Sequence, residues 1–160
     1  MSTAYQKALH SALRILTRRD HSVAELERKL VQRGIEKDVV EAVRDECRRL
    51  NYVNDERFAE GLIHRLKRKG WGPLRMRNEF HRYGLKGQKS EQLLREAFGV
   101  GEELQIACAA AKKKLAANRL LNPRKCRERL YRFLSARGFS NAVIHEALQM
   151  VLESSSPENF

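Results

Sequence analysis

The sequence predicts an all-α protein of three tandem three-helix, helix-turn-helix-like units, forming an elongated, curved molecule. Three observations carry this expectation. A short pattern, apolar-x3-apolar-x3-Gly-apolar, occurs three times: Leu26, Leu30, Gly34-Ile35; Met76, Phe80, Gly84-Leu85; and Leu130, Leu134, Gly138-Phe139. Longer helical stripes flank each copy, and nowhere does the chain show the period-two alternation of a half-buried strand. Charged residues make up 32% of the chain and aromatic residues only 7%, a composition that suits exposed amphipathic helices better than deeply buried sheets.

Each copy reads as a short helix with an i, i+4 stripe, stopped by a glycine in the left-handed conformation just past its end. The apolar residue after the glycine should fold back on the last turn. The starts agree with the stops. Ser22-Val-Ala-Glu25 is a capping-box pattern. Gly72-Pro73 and Asn122-Pro123 place proline at the first helical position. The third copy begins about a turn early, which accounts for its extra residues.

A longer helix precedes each copy. Leu9, Leu13 and Leu16, with Ala12, mark its apolar face in the first unit; Phe58-Ala59, Leu62-Ile63 and Leu66 do so in the second; Leu104, Ala107, Ala111 and Leu115 form an alanine-rich version in the third. A further helix follows each copy, marked by Val39-Val40-Val43, by Leu93-Leu94-Ala97 and by Val143-Ile144-Leu148, the last capped by Ser140. Short connections fall at Asn51–Asp55 and Phe98–Glu102. The expected units are therefore 1–53, 54–99 (the most basic) and 100–153, followed by a polar, disordered tail over 154–160.

The net charge of +12 on 160 residues speaks about partners rather than fold. It is clustered. Between Arg57 and Lys86 there are nine Lys/Arg against two Glu, net +7. A phosphate backbone, an acidic protein or an anionic membrane could answer such a surface. The candidate contacts are Arg65, Lys67, Arg68 and Lys69 at the end of one helix, Trp71 in the turn, and Arg75, Arg77 and Arg82 on the next helix. Basic helix–turn–helix surfaces beside Trp71 and Tyr83 suit phosphate contacts. Further basic residues recur at Arg14, Arg18-Arg19, Arg28-Lys29 and Arg33, then at Lys112-Lys113-Lys114, Arg124-Lys125, Arg127, Arg129 and Arg132.

Catalytic signatures are missing. There is no phosphate-binding Gly-x4-Gly-Lys-Ser/Thr and no Gly-x-Gly-x-x-Gly after a strand. The five histidines are scattered, without a His-Glu-x-x-His. Asp55-Glu56 and Glu102-Glu103 sit where carboxylates meet the positive end of a helix dipole. Cys47, Cys108 and Cys126 are odd in number and widely spaced, which argues against a disulfide framework or a zinc site. The expectation is a non-enzyme with no catalytic residue, no cofactor and no metal. The amino terminus lacks the apolar core of a signal peptide, and no apolar run approaches the ~20 residues that span a bilayer. A cytoplasmic location without membrane contact follows as the expectation.

Three parts of the chain carry a family resemblance. Ala12-Leu-Arg-Ile-Leu-Thr-Arg-Arg-Asp-His-Ser-Val-Ala-Glu-Leu-Glu-Arg-Lys-Leu30 is similar to the opening signature of the bacterial RecX regulatory proteins. Asn51-Tyr-Val-Asn-Asp-Glu-Arg-Phe-Ala59 followed by Arg68-Lys-Gly-Trp-Gly-Pro73 resembles that family's most specific stretch, and Arg132-Phe-Leu-Ser-Ala-Arg-Gly-Phe139 is a weaker match. The resemblance implies three tandem three-helix repeats and a modulator, most often an inhibitor, of the RecA recombinase filament. It implies restraint of ATPase, strand-exchange and co-protease activity in DNA repair, homologous recombination and the SOS response. It further implies non-sequence-specific binding of single- and double-stranded DNA, by a monomer, with no agreed catalytic residues. The residues alone leave open an architectural or transcriptional helix-turn-helix DNA binder, disfavoured because no short helix rich in Asn, Gln and Arg is set up to read base edges. An adaptor for acidic protein surfaces is a third reading.

Overall fold

The computed structural model describes residues 3–117 and 122–154; these contain helices and no strand. In chain order the helices are α1 (Thr3–Leu16), α2 (Val23–Val31), α3 (Lys37–Arg49), α4 (Asp55–Arg68), α5 (Pro73–Arg82), α6 (Gln88–Glu96), α7 (Glu102–Ala116), α8 (Pro123–Ala136) and α9 (Asn141–Glu153). Of the expected tail, Ser154 closes α9 and the rest lies outside the described residues.

The helix ends follow local chemistry. Gly34, Gly84 and Gly138 have φ of 76°, 69° and 83°, in the left-handed region that a side chain disfavours. In each case the next amide donates back across the turn: Ile35 to the Leu30 carbonyl at 3.4 Å, Leu85 to Phe80 at 2.9 Å, Phe139 to Leu134 at 3.3 Å. This bond satisfies a carbonyl that the helix leaves unpaired. Gly70 ends α4 in the same way, Trp71 N–H donating to the Leu66 carbonyl at 3.1 Å. At the starts, Ser22 Oγ accepts from Glu25 N–H at 3.1 Å, Asn122 Oδ1 from Arg124 N–H at 2.9 Å and Ser140 Oγ from Val143 N–H at 3.4 Å. The capping box at Ser22 is only half made, because the Glu25 carboxylate turns instead to Arg19 and Lys29.

The chain divides into two compact bodies: residues 1–61 with 80–91, and 62–79 with 92–160. In the first, Ala8, Ala12, Ile15, Leu26, Leu30, Val40, Val43, Cys47 and Val53 form a core. The centre of the α1 face is thus Ala8, Ala12 and Ile15, with Leu9, Leu13 and Leu16 half-buried beside it. The leucine stripe marks the flank of the interface. The small alanines lie at the closest approach, where a larger side chain would hold the helices apart. In the second body Ala107 and Ala111 of α7 pack with Cys126, Leu130 and Leu134 of α8, with Phe139, and with Ile144, Ala147, Leu148 and Val151 of α9.

The middle unit's apolar residues are shared out. Phe58, Ala59, Phe80 and Leu85 are buried and belong to the first body; Leu62, Ile63, Leu66, Met76 and Leu94 are buried and belong to the second. Cys47 and Cys126 are buried, and all three cysteines are free thiols. Burial pushes the Cys47 and Cys108 thiols above their ordinary range, so both behave as small apolar side chains rather than nucleophiles.

Candidate functional site

Of the eight candidate contact residues, seven fall in the second body and Arg82, on the last turn of α5, in the first. Arg65, Lys67 and Arg68 lie on the last turns of α4, where cations also meet the negative end of the helix dipole. Lys69, Gly70, Trp71 and Gly72 make the turn, and Arg75 and Arg77 lie on α5. Arg68, Lys69, Arg75 and Arg77 are exposed and Arg65 is half-exposed.

Two of the seven have structural duties. Lys67 Nζ donates to both Glu102 carboxylate oxygens, at 2.8 and 2.9 Å, and sits 5.1 Å from the centre of the Phe98 ring. The pair ties the end of α4 to the start of α7. Hydrogen bonds from Lys67 and from Gly99 N–H hold the Glu102 carboxyl below its usual range. Lys67 is therefore committed inside the molecule, which a charge count alone could not reveal. Trp71 is half-buried, with the Arg75 guanidinium 4.6 Å and the Lys69 ammonium 5.8 Å from its ring centre. Cation–π attraction holds these two basic groups over the indole and fixes where they present their charge. The cations this patch presents to solvent are Arg68, Lys69, Arg75 and Arg77, with Arg65 half-exposed beside them.

The turn bearing them is held by backbone contacts to the turn after α8. Gly72 N–H donates to the Arg137 carbonyl at 2.7 Å and Leu74 N–H to the Gly138 carbonyl at 3.0 Å, while the Arg137 guanidinium donates to the Lys69 carbonyl. A Cβ on Gly72 would lie 2.5 Å from the Gly138 oxygen, and one on Gly138 2.3 Å from the Arg75 nitrogen. Only two glycines permit this approach. The same joint recurs in the first body. There the Gly84 turn meets the start of α2, Ser22 Oγ donates to the Tyr83 carbonyl at 2.6 Å, and a Cβ on Gly84 would lie 2.5 Å from Ala24 Cβ. Asp55 Oδ1 accepts from Val23 N–H at 2.8 Å, so this carboxylate serves the start of α2 as well as its own helix. From local sequence Gly72 is no more than the residue before a first-turn proline. Its signal lay in the repeat register, where an offset of 50 residues pairs Gly72 with Ser22 just as it pairs Gly84 with Gly34.

A second basic surface in this body lies between α7 and α8, where Lys114, Lys125, Arg129 and Arg132, with one carboxylate, Glu128, line a shallow cleft beside Phe133. Among the described residues no group of three or more His, Cys, Asp or Glu could hold a metal ion. None of their helices is long and apolar enough to cross a membrane.

These features define a helical-repeat protein whose joints are close contacts at glycine turns and whose distinctive surface is basic. Comparison with known proteins agrees. The RecX family models match in order: the first three-helix domain over residues 4–47, the second over 54–94 and the third over 101–148. The chain belongs to the RecX family. It is 34% identical over 148 residues to the regulatory protein RecX of Legionella pneumophila (strain Corby), covering 92% of this chain and 97% of that one. It is 33% identical over 138 residues to the regulatory protein RecX of Pseudomonas fluorescens (strain SBW25), covering 86% and 87%. The crystal structure of RecX from Lactobacillus salivarius superposes with a TM-score of 0.82 over 96% of this chain and 99% of that one; at 19% identity it shows the shared fold. The family resemblance and the repeat count read from the glycines therefore hold.

Proposed function

We propose that this chain is a non-catalytic regulator that binds the RecA recombinase filament and, without sequence preference, single- and double-stranded DNA. In this reading it restrains filament growth and ATP turnover, and through them strand exchange, co-protease activity and the SOS response. Family membership across all three repeats supports the regulatory role. The observation that supports the site is the set of exposed cations around the Trp71 turn, carried on a turn pinned by backbone bonds rather than on a flexible tail. Pre-positioned arginines favour phosphate oxygens because the guanidinium presents a planar fork of donors. Such contacts are electrostatic and read the backbone, not base edges.

The direct test is ATP hydrolysis by RecA on single-stranded DNA with this protein titrated in below one per RecA. The expected outcome is inhibition at substoichiometric amounts, as blocked filament growth would give. Replacing Arg65, Arg68, Arg75 and Arg77 together by Gln should weaken DNA or filament binding by about tenfold or more and flatten its salt dependence, with the helical spectrum unchanged. Unaltered binding and inhibition by that variant would remove the site assignment. No effect on RecA by the wild-type chain, alongside salt-sensitive DNA binding, would favour an architectural DNA-binding role.

A further inference from the structure

The first body holds a basic cleft remote in sequence from the Trp71 turn. It has a volume of about 500 Å³ and opens between the end of α1, the α1–α2 connection and one side of α2. That size lies in the ordinary range for small-ligand pockets. Arg14, Arg18 and Arg19 line it from α1 and the α1–α2 connection, Lys29 and Arg33 from α2 and the turn after it, and the buried Ile15 adds an apolar group. Five cations thus share one concave space. No carboxylate lines the cleft.

The neighbouring groups position these cations more than they neutralise them. Glu25, 6% exposed, pairs with the Arg19 guanidinium and lies 3.5 Å from Lys29 Nζ. His21 is 3% exposed; its Nδ1 lies 2.8 Å from the Arg19 carbonyl and its Nε2 2.7 Å from Lys29 Nζ. A carbonyl can only accept, so Nδ1 carries the proton and Nε2 takes a hydrogen bond from the lysine. A buried, neutral imidazole therefore aims the Lys29 ammonium. The Arg33 guanidinium donates to the carbonyl and hydroxyl of Ser11, both uncharged. Arg14 and Arg18 have no ion-pair partner among the described residues. One carboxylate thus answers five cations gathered around a concave space, an arrangement that repels itself when empty and favours a multivalent anion.

We propose that this cleft is a binding site for a small polyphosphate, either the phosphate chain of a nucleotide or free inorganic polyphosphate. Several cations around one cleft match a short run of phosphates, each held by charge-assisted hydrogen bonds. A concave space of this volume admits such a chain, whereas a duplex presents its phosphates on a wide convex surface. The site stands independently of the Trp71 patch and of the RecA reading.

Calorimetric titration of the full chain with inorganic tripolyphosphate at fixed ionic strength tests it, with ATP as the second ligand. The expected result is saturable one-site binding, weakened about tenfold or more by Arg14→Gln with Arg18→Gln, as loss of two charge-assisted contacts requires. Lys29→Gln should weaken it separately. The equal charge removal Lys112→Gln with Lys113→Gln, on exposed positions of α7, should leave binding within about twofold of wild type. Stronger binding of ATP than of tripolyphosphate would assign the nucleotide, and equal binding the free chain. Absence of saturation, or equal weakening by both double variants, would overturn the proposal as diffuse attraction. So would displacement of tripolyphosphate by a single-stranded oligonucleotide whose own affinity falls tenfold in the Arg14/Arg18 variant, since the cleft would then belong to nucleic acid.

Discussion

The two inter-repeat joints solve one packing problem with different residues. In the first body a side chain makes the polar link: the Ser22 hydroxyl both caps α2 and donates to the Tyr83 carbonyl. In the second body the backbone makes it, through the N–H groups of Gly72 and Leu74. Pro73 stands between them and has no N–H to offer, so the two donors alternate around it. The Ser22 joint admits some side-chain adjustment. The Gly72–Gly138 joint admits almost none, because main chain meets main chain. The turn that carries the candidate contact surface is therefore fastened by the stiffer of the two.

The largest effect should come from Gly138→Ala. Its Cβ would meet the Arg75 backbone at 2.3–2.9 Å and would also force a side chain to φ near 83°. Left-handed strain and overpacking together should cost about 3 kcal/mol in urea unfolding. Hydrogen exchange should report the loss first at the amides of Gly72 and Leu74. A cost near 1 kcal/mol would mean that the joint yields easily and that the comparison fails.

Gly84→Ala and Gly34→Ala separate strain from contact. Both positions have left-handed φ, but Gly84 would meet Ala24 Cβ at 2.5 Å, whereas nothing lies within 4 Å of a Cβ on Gly34. Gly34→Ala should cost about 1 kcal/mol from conformation alone, and Gly84→Ala about 2 kcal/mol. Equal costs in thermal unfolding would show that the Gly84 contact contributes nothing. Ser22→Ala should cost about 1–2 kcal/mol, through loss of the cap and of the donor to Tyr83. Ser22→Thr, which keeps the hydroxyl, tests whether the buried site can take a methyl group.

The smallest effect is the pH response of the Ser22 joint's surroundings. Burial lowers the His21 pKa, outweighing the opposing pull of the Arg19 carbonyl and Glu25. Burial acts to raise the Glu25 pKa, but the Arg19 hydrogen bond and the nearby Arg19 and Lys29 charges prevail and lower it. For both groups the unfolded chain binds protons more readily than the folded one, so both contribute stability that is lost as pH falls. The His21 contribution is complete above its unfolded pKa of about 6.5 and fades below it. That of Glu25 goes at lower pH, below the ordinary carboxylate range. Denaturant midpoints measured between about pH 7 and 5 should fall in the wild type and fall less in His21→Gln. A midpoint flat over that range would contradict the buried neutral imidazole.

Repeat count, helix type and helix ends were legible in the sequence because each depends on residues a few positions apart. A left-handed glycine, a serine cap and a proline at the first helical position act within one turn, so Gly34, Ser140 and Pro123 announce their roles without any tertiary partner. The clustered charge was legible too, since Arg65, Arg68 and Arg75 are close in the chain. The core face of α1 was less so, because apolarity favours Leu9 and Leu13 while close packing favours Ala8 and Ala12.

Long-range partners lay beyond local reading. Lys67 looked like one more surface cation until Glu102, 35 residues on, took it. Gly72 reads locally only as the residue before a first-turn proline, whereas Gly138, 66 residues on, requires its missing side chain. The basic cleft of the first body needed Arg14 and Arg33, 19 residues apart, brought to line one space. By itself the sequence determined that this chain is a threefold run of capped, amphipathic helices with a basic surface, because propensity, capping and charge act locally. Only the tertiary structure decided which glycines are joints and which cations stay available, because steric contact and ion pairing depend on distance in space.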